Sequence, residues 1–201
     1  MEIPSFPAYP TNGGRIETAP KKIGTWIYQP KIDDWHGVVH VPTGHVWNQY
    51  GQPSSIAEKF CAPLRLLQKS PFKWLDVGLM NNRHDMMRGC IVIFDLMAPE
   101  PFTERRTALE RLFADLILPM ASELLEHGSV HNQLFLINQT TEDEINPILF
   151  WHRLQAENCN ALLAKNFYEG VVAKRIDKPY PLQLRKPKEP TPWMMKHRFD
   201  Q

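Results

Sequence analysis

Short apolar and β-branched runs alternate along the chain with polar loops that are rich in proline and glycine. Runs of this kind, bounded by turn residues, are typical of β-strands. They predict strands at residues 26–28, 37–41, 45–47, 74–77, 90–96, 133–137, 170–174 and 193–196. The run 90–96 is apolar enough to be a central strand. Pro42, Thr43 and Gly44 predict a hairpin turn, so we expect the first three strands to form an antiparallel meander.

Apolar residues at helical spacing predict three helical regions, at residues 55–67, 102–125 and 142–164. Ser54 or Ser55 is the expected N-cap of the first. Pro119 is expected to divide the second into two helices, because proline interrupts a helix. Arg105 and Arg106, on the polar side of the second region, are expected to form salt bridges on its surface.

The order of these elements predicts an α+β fold with antiparallel strands, without a regular βαβ alternation. With 201 residues, 43% of them hydrophobic, the chain is long enough for one sizeable domain. Four prolines and a glycine pair predict that residues 1–24 form an irregular N-terminal arm, followed by a domain over residues 25–201. The chain contains neither a Walker loop nor a GxGxxG turn, so a nucleotide would need another phosphate-binding device.

The charge of the whole chain does not have the signature of a dedicated nucleic-acid binder, since 23 basic and 22 acidic residues give a net charge of +1. The basic stretch 174–198 is either a local surface for nucleic-acid phosphates or a solvated face. No apolar run approaches the ~20 residues of a membrane span, and the N-terminus lacks a signal sequence. We therefore expect a cytoplasmic protein without a membrane partner. The three cysteines have no CxxC spacing, which favours reduced thiols.

Five segments, in order along nearly the whole chain, carry the candidate chemistry, and they lie at residues 28–37, 74–79, 92–96, 169–174 and 193–198. Their order and residues resemble the collinear motifs of the lysine nucleotidyltransferase superfamily, which includes DNA ligases, RNA ligases and mRNA-capping enzymes. The first resembles the K-x-D-G-x-R nucleophile motif. The fourth, Glu-Gly-Val-Val-Ala-Lys, is the closest match. Residues 101–109 resemble a helix start of DNA ligases, which favours a DNA ligase over a capping enzyme.

The resemblance implies an antiparallel-sheet, ATP-grasp-like adenylation domain without the OB-fold that usually follows it. In this family a lysine attacks the α-phosphorus of ATP, which requires a neutral amine although the ordinary pKa of lysine is ~10.4. Lys31 would be that catalytic residue. Lys174 and Lys196 would lie beside the α-phosphate, where their charge disfavours the protonated form of Lys31.

The other expected site residues follow from the same resemblance. Phe94 and Val172 would sandwich the adenine, and carboxylates would hold Mg²⁺ together with the phosphates. The implied nucleotide-binding set is Gln29, Ile32, Phe94, Val172, Lys174, Lys196 and Arg198. The implied metal ligands are Asp33, Glu169 and Asp76.

The chain departs from the family pattern at four positions, one of which is Gln49, where the R-x-G segment of the family has arginine. Asp34 stands where the nucleophile motif has glycine, and His36 stands where it has arginine. Gly78 stands where the second motif has a glutamate that contacts the ribose or the metal. Asp34 adds negative charge beside Lys31, which by itself favours the protonated lysine.

The resemblance implies an ATP-dependent DNA ligase-type adenylyltransferase that forms a lysyl-AMP and seals nicked DNA in repair or replication. We expect a monomer, with a separate partner supplying an OB-fold-like surface. One alternative is an RNA ligase or end-repair adenylyltransferase. The departures at Asp34, His36 and Gly78 keep a second alternative open, a catalytically silent module that binds nucleotide or nucleic-acid ends.

Overall fold

A computed structural model of the chain describes eight stretches of residues. They are residue 6 and residues 26–48, 50–81, 87–116, 132–140, 147–158, 167–178 and 180. The predicted arm at residues 1–24, apart from Phe6, therefore lies outside the described residues. So do the predicted strand 193–196 and the predicted helix division at Pro119.

The strands form two sheets. They are β1 (Trp26–Ile32), β2 (Trp35–His40), β3 (His45–Asn48), β4 (Trp74–Met80), β5 (Cys90–Leu96), β6 (Leu134–Leu136) and β7 (Tyr168–Arg175). β1 and β7 pair antiparallel as a two-stranded sheet, and the other five have the order β3-β2-β4-β5-β6. β5 lies between β4 and β6, which confirms its predicted central position, but it pairs with β6 in parallel.

The hairpin between β2 and β3 is confirmed, and Gly44 adopts a positive φ of 70° there. The predicted three-stranded meander is wrong, because β1 pairs with β7 and not with β2. The backbone leaves the first sheet at Asp33, whose N–H donates to the Phe167 carbonyl at 2.9 Å. After Asp34 the chain enters the larger sheet as β2.

Three α-helices accompany the sheets in the described residues, and they are α1 (Cys61–Leu67), α2 (Phe102–Leu116) and α3 (Pro147–Asn158). A 3₁₀ turn (Ala57–Phe60) precedes α1 and begins after Ile56. The predicted serine N-cap is wrong, because no side chain caps this turn. None of the described helices is long and apolar enough to cross a membrane.

The five-stranded sheet is covered on both faces, so all seven residues of β4 are buried. On one face Leu75, Val77 and Ile93 pack with apolar residues of α1 and α2. On the other face Cys90 and Val92 share a cluster with apolar residues of β1, β7 and α3, which include Tyr28, Ile32, Val171, Ala173, Phe150 and Leu154. The functional candidates lie where the two sheets meet.

The expected surface salt bridge is wrong for Arg105, which is 1% exposed. It is confirmed in part for Arg106, which is 4% exposed but forms a salt bridge along α2 with the exposed Glu110 at 2.6 Å. The start of α2 lies over the end of β5, where Arg105 forms an ion pair with Asp95. The Nη1 group of Arg106 donates to the Ile137 carbonyl at 2.6 Å. Both guanidinium groups therefore fasten α2 to the larger sheet.

Candidate functional site

Lys31 and Glu169, which are 138 positions apart in sequence, are in contact through their side chains. A register irregularity in the β1–β7 pair explains the contact. Lys31 pairs with Gly170 and Ile32 pairs with Tyr168, which leaves Glu169 as an extra residue in β7. A β-bulge of this kind re-aims a side chain, and here the carboxylate of Glu169 contacts the Lys31 Nζ.

The same face of the β1–β7 sheet carries further predicted site residues. Because directly opposed residues share a face and side chains alternate along a strand, Gln29, Lys31, Val172 and Lys174 lie on one side. Gln29 is 2% exposed. Its Nε2 is buried without a hydrogen-bond partner among the described residues. A buried, unpaired donor is costly, so an acceptor on a ligand would stabilise it.

Phe94 occupies a second bulge. Asp76 pairs with Asp95 and Val77 pairs with Ile93, so Phe94 is the extra residue in β5. Its ring is partly buried against the cluster between the sheets. It meets the His36 ring edge-on, with 6.0 Å between the ring centroids. Both bulges thus coincide with residues that the motifs single out.

Asp34 lies over Gly78 on β4. A Cβ built on Gly78 would lie 2.3 Å from the Asp34 Oδ2 and 2.6 Å from the Phe94 Cζ. Burial raises the pKa of Asp34 to about 6, with His36 and Lys31 opposing the rise and Asp76 and Glu169 adding to it. The carboxylate therefore belongs to the same group of charges as Lys31, and its contact with β4 was not predicted.

Asp76 is 1% exposed, and both of its oxygens have partners. The His36 Nε2 lies 2.5 Å from Oδ1, and the Tyr180 hydroxyl donates to Oδ2 at 3.0 Å. Burial by itself would raise the pKa of this carboxyl, but His36, Lys174 and the Tyr180 hydrogen bond together hold the pKa below its ordinary value. Tyr180 was not predicted, because no motif includes it.

Lys174 is 1% exposed. Its Nζ donates to the Asp95 Oδ2 and to the Phe94 carbonyl, both at 3.1 Å. Asp95 also accepts two hydrogen bonds from Arg105. The structure thus brings Lys174 to the bulge that carries Phe94. Its role as a phosphate ligand stays a prediction.

Of the three remaining predicted nucleotide-binding residues, the structure describes one. Ile32 is fully buried in the cluster between the sheets. Its backbone carbonyl accepts a hydrogen bond from the Lys31 Nζ at 3.4 Å. Lys196 and Arg198 lie outside the described residues. Their predicted roles stay predictions.

The carboxylates beside Lys31 fit a magnesium ion that arrives with phosphates. Mg²⁺ usually takes one or two protein carboxylates and completes its shell with water and substrate phosphates. Glu169 has a side chain that is 35% exposed and meets this requirement. Among the described residues no group of three His, Cys, Asp or Glu side chains could hold a metal ion by itself. Asp76 would have to exchange a bond to His36 or Tyr180 for a bond to the metal.

Solved structures of DNA ligases resemble this fold over about nine tenths of the chain. Chlorella virus DNA ligase-adenylate has a TM-score of 0.51 and 16% identity, over 89% of this chain and 67% of that chain. A Lig E DNA ligase has a TM-score of 0.52 and 11% identity, over 89% and 69%. The ligase domain of M. tuberculosis LigD has a TM-score of 0.56 and 16% identity, over 90% of this chain and 57% of that chain.

No family model matches the sequence, and no curated protein matches it. The similarity therefore concerns the fold, and it covers about nine tenths of the chain. The chain has the fold of the adenylation and ligase domains of DNA ligases.

Proposed function

We propose that this chain is an ATP-dependent adenylyltransferase of the DNA-ligase type, with Lys31 as its nucleophile. The observation that carries the proposal is the contact between Lys31 and Glu169 at the β7 bulge. A lysine with 15% of its side chain exposed is accessible to a ligand. It also lies on the same face as the unpaired amide of Gln29.

The proposed reaction is a nucleotidyl transfer. The neutral Nζ of Lys31 attacks the α-phosphorus of ATP, a nitrogen–phosphorus bond forms, and the bond from that phosphorus to the oxygen bridging the β-phosphate breaks. Pyrophosphate leaves, and the lysine proton passes to solvent. Lys31 must move away from the Glu169 carboxylate that it contacts before it can attack, because its nucleophilic lone pair has to point at the phosphorus.

The surrounding residues have roles in binding. Phe94 would stack on the adenine, with Val172 on the opposite side, and Gln29 would donate to the base. Lys174 would stabilise the charge that develops on the phosphates, together with Lys196 and Arg198. Each described member of this set lies on the β1–β7 face or at the β5 bulge.

A divalent cation held by the predicted ligands Glu169, Asp33 and Asp76 would neutralise phosphate charge when bound. Mg²⁺ suits this donor set because it prefers carboxylate and phosphate oxygens. Glu169 would also keep Lys31 in place until ATP enters, since the two side chains are in contact.

The AMP group would then pass to the 5′-phosphate at a nick, and a 3′-hydroxyl would displace it to seal the strand. DNA is the proposed substrate, because the structural matches are DNA ligases. RNA ligation is the alternative, and matched nicked DNA and RNA duplexes would separate the two.

Incubation with α-labelled ATP and Mg²⁺, followed by denaturing electrophoresis, tests the proposal. The wild type should become labelled, and Lys31→Ala should not. Lys69→Ala is the matched control, since Lys69 is exposed and lies outside the site. Label that persists in Lys31→Ala would exclude this nucleophile. An unlabelled wild type would instead favour a silent module that binds nucleotide or nucleic-acid ends.

A further inference from the structure

Position 78 on β4 has no room for a side chain. Real Cβ atoms essentially never lie under 3.0 Å from a heavy atom of a residue that is not their chain neighbour. A Cβ on Gly78 would have three such neighbours, at 2.3, 2.6 and 3.0 Å. These are the Oδ2 and Cγ atoms of Asp34 and the Cζ atom of Phe94. Gly78 lies within a paired strand, so a side chain at this position would have to displace the Asp34 carboxylate and the Phe94 ring, with no clash against backbone.

The group that fills this space is a carboxylate from another element. Asp34 follows β1 and precedes β2, and its side chain crosses to β4. In the resembling motifs position 34 is glycine and position 78 is glutamate. The two departures therefore meet in space, because the Asp34 carboxylate, which comes from the β1–β2 connection, occupies the side-chain space of position 78.

The neighbours of Asp34 define what it can bind. Phe94 adjoins it on one side, and both Phe94 and Asp34 border the space over Gly78. Lys31 interacts with the Asp34 carboxylate electrostatically. In a nucleotide with its base on Phe94 and its α-phosphate at Lys31, the ribose lies between these two groups. An anionic carboxylate repels phosphate but accepts hydrogen bonds from hydroxyls.

We infer that Asp34 binds a ribose hydroxyl of the nucleotide, and that residue 78 is glycine because Asp34 occupies its side-chain space. The inference rests on the proposed function for the identity of its ligand. It makes Asp34 a specificity-determining residue, which distinguishes ribonucleotides from deoxynucleotides.

The test compares ATP with 2′-deoxyATP and 3′-deoxyATP as substrates for lysyl-AMP formation. The wild type should prefer ATP over one of the two by roughly 10- to 100-fold, the value of a hydrogen bond to a charged group. Asp34→Gly should lose this preference, measured as the ratio of the rates on the two nucleotides, because any effect of the lost charge on Lys31 changes both rates equally. Asp34→Asn, which keeps the shape of the side chain, serves if the glycine variant does not fold.

The exchange of side-chain space between positions 34 and 78 is tested with Gly78→Glu and with Asp34→Gly/Gly78→Glu. Gly78→Glu alone should be slow, because the new side chain meets Asp34 and Phe94. The double variant should be labelled faster than Gly78→Glu alone, since removing Asp34 relieves one clash and one like charge. If the effects of the two single substitutions on the labelling rate simply multiply in the double variant, the exchange is overturned. An unchanged preference for ATP in both Asp34 variants would overturn the ribose contact. A change only in the Mg²⁺ concentration that the reaction requires would overturn it as well.

A failure of the proposed function would be visible separately. If the wild type forms no lysyl-AMP, equilibrium binding of ATP and the two deoxynucleotides replaces the rate measurement. The wild type should then still bind ATP more tightly than one deoxynucleotide, and Asp34→Gly should not. Equal binding of all three, or no binding of any, would overturn the inference.

Discussion

Arg105 forms a bidentate ion pair with Asp95 in which Nε donates to Oδ1 and Nη2 donates to Oδ2, both at 2.9 Å. Neither side chain is more than 1% exposed. Lys174 donates to the same carboxylate, and the Arg105 Nη1 donates to the backbone carbonyls of Glu100 and Lys178. One buried cluster therefore joins β5, the start of α2 and the turn that follows β7.

Arg105→Leu should destabilise the protein by about 3–5 kcal/mol, because removing one partner of a buried ion pair is costly and Asp95 keeps only its bond from Lys174 among these side chains. The backbone carbonyls of Glu100 and Lys178 lose a donor as well. Urea unfolding of the variant and the wild type measures the change in the free energy of unfolding.

Arg175→Ala is the control for loss of an arginine ion pair, because Arg175 pairs with Asp177 at the surface. Exposed pairs of this kind contribute little to stability, so this variant should unfold at nearly the wild-type urea concentration. Equal changes in the free energy of unfolding for the two variants would show that the buried cluster contributes no more than an exposed ion pair.

The hydrophobic pattern located the strands and the central position of β5 because burial on both faces leaves long apolar runs. It could not locate Arg105, since a buried arginine has the same helical spacing as an exposed one. Its partner Asp95 is only ten residues earlier, yet the ion pair depends on how α2 docks on β5.

The candidate site was predicted only in part for a similar reason. Motif order identified Lys31 and Glu169, but their contact depends on the bulge that leaves Glu169 unpaired in the ladder. The motifs do not predict the contact between Asp34 and Gly78, because it depends on how the β1–β2 connection packs on β4. A contact between this connection and β4 depends on distances in space, which the order of residues along the chain does not contain.

The stability of the protein should fall as the pH drops below the unfolded histidine pKa of ~6.5, partly through His40. Burial, with Lys73 and His45, lowers the pKa of His40 in the folded protein. The folded state then binds this proton less readily than the unfolded state, so the stabilising contribution is present above pH ~6.5 and lost below it. Its ring packs on Trp74, with 4.5 Å between the centroids.

Thermal unfolding of the wild type and His40→Gln at pH 7.5 and 5.5 measures this contribution. The glutamine can still bond to Thr43, the partner of the His40 Nδ1, but does not titrate. The unfolding temperature of the variant should therefore decline less between the two pH values. Parallel declines would contradict the role of His40.

Cys90 should resist alkylation in the folded protein. It is fully buried, and burial raises the pKa of its thiol to about 11, so at pH 8 roughly a thousandth of it is the reactive thiolate. Cys61→Ser/Cys159→Ser leaves Cys90 as the only thiol for iodoacetamide, with mass spectrometry as the readout. Cys90→Ala/Cys159→Ser retains the exposed Cys61 for comparison. Rapid native labelling of Cys90 would contradict its burial in β5.

Tyr180→Phe should destabilise the protein by about 1.5–3 kcal/mol, the usual contribution of a hydrogen bond to a charged group. The Tyr180 hydroxyl is one of two partners of the buried Asp76 carboxylate, and phenylalanine removes the hydroxyl while keeping the ring. Tyr50→Phe is the matched control, because Tyr50 is 66% exposed. If urea unfolding shows the same small change for both variants, His36 alone suffices to hold Asp76, and the segment after β7 contributes no hydrogen bond to stability there.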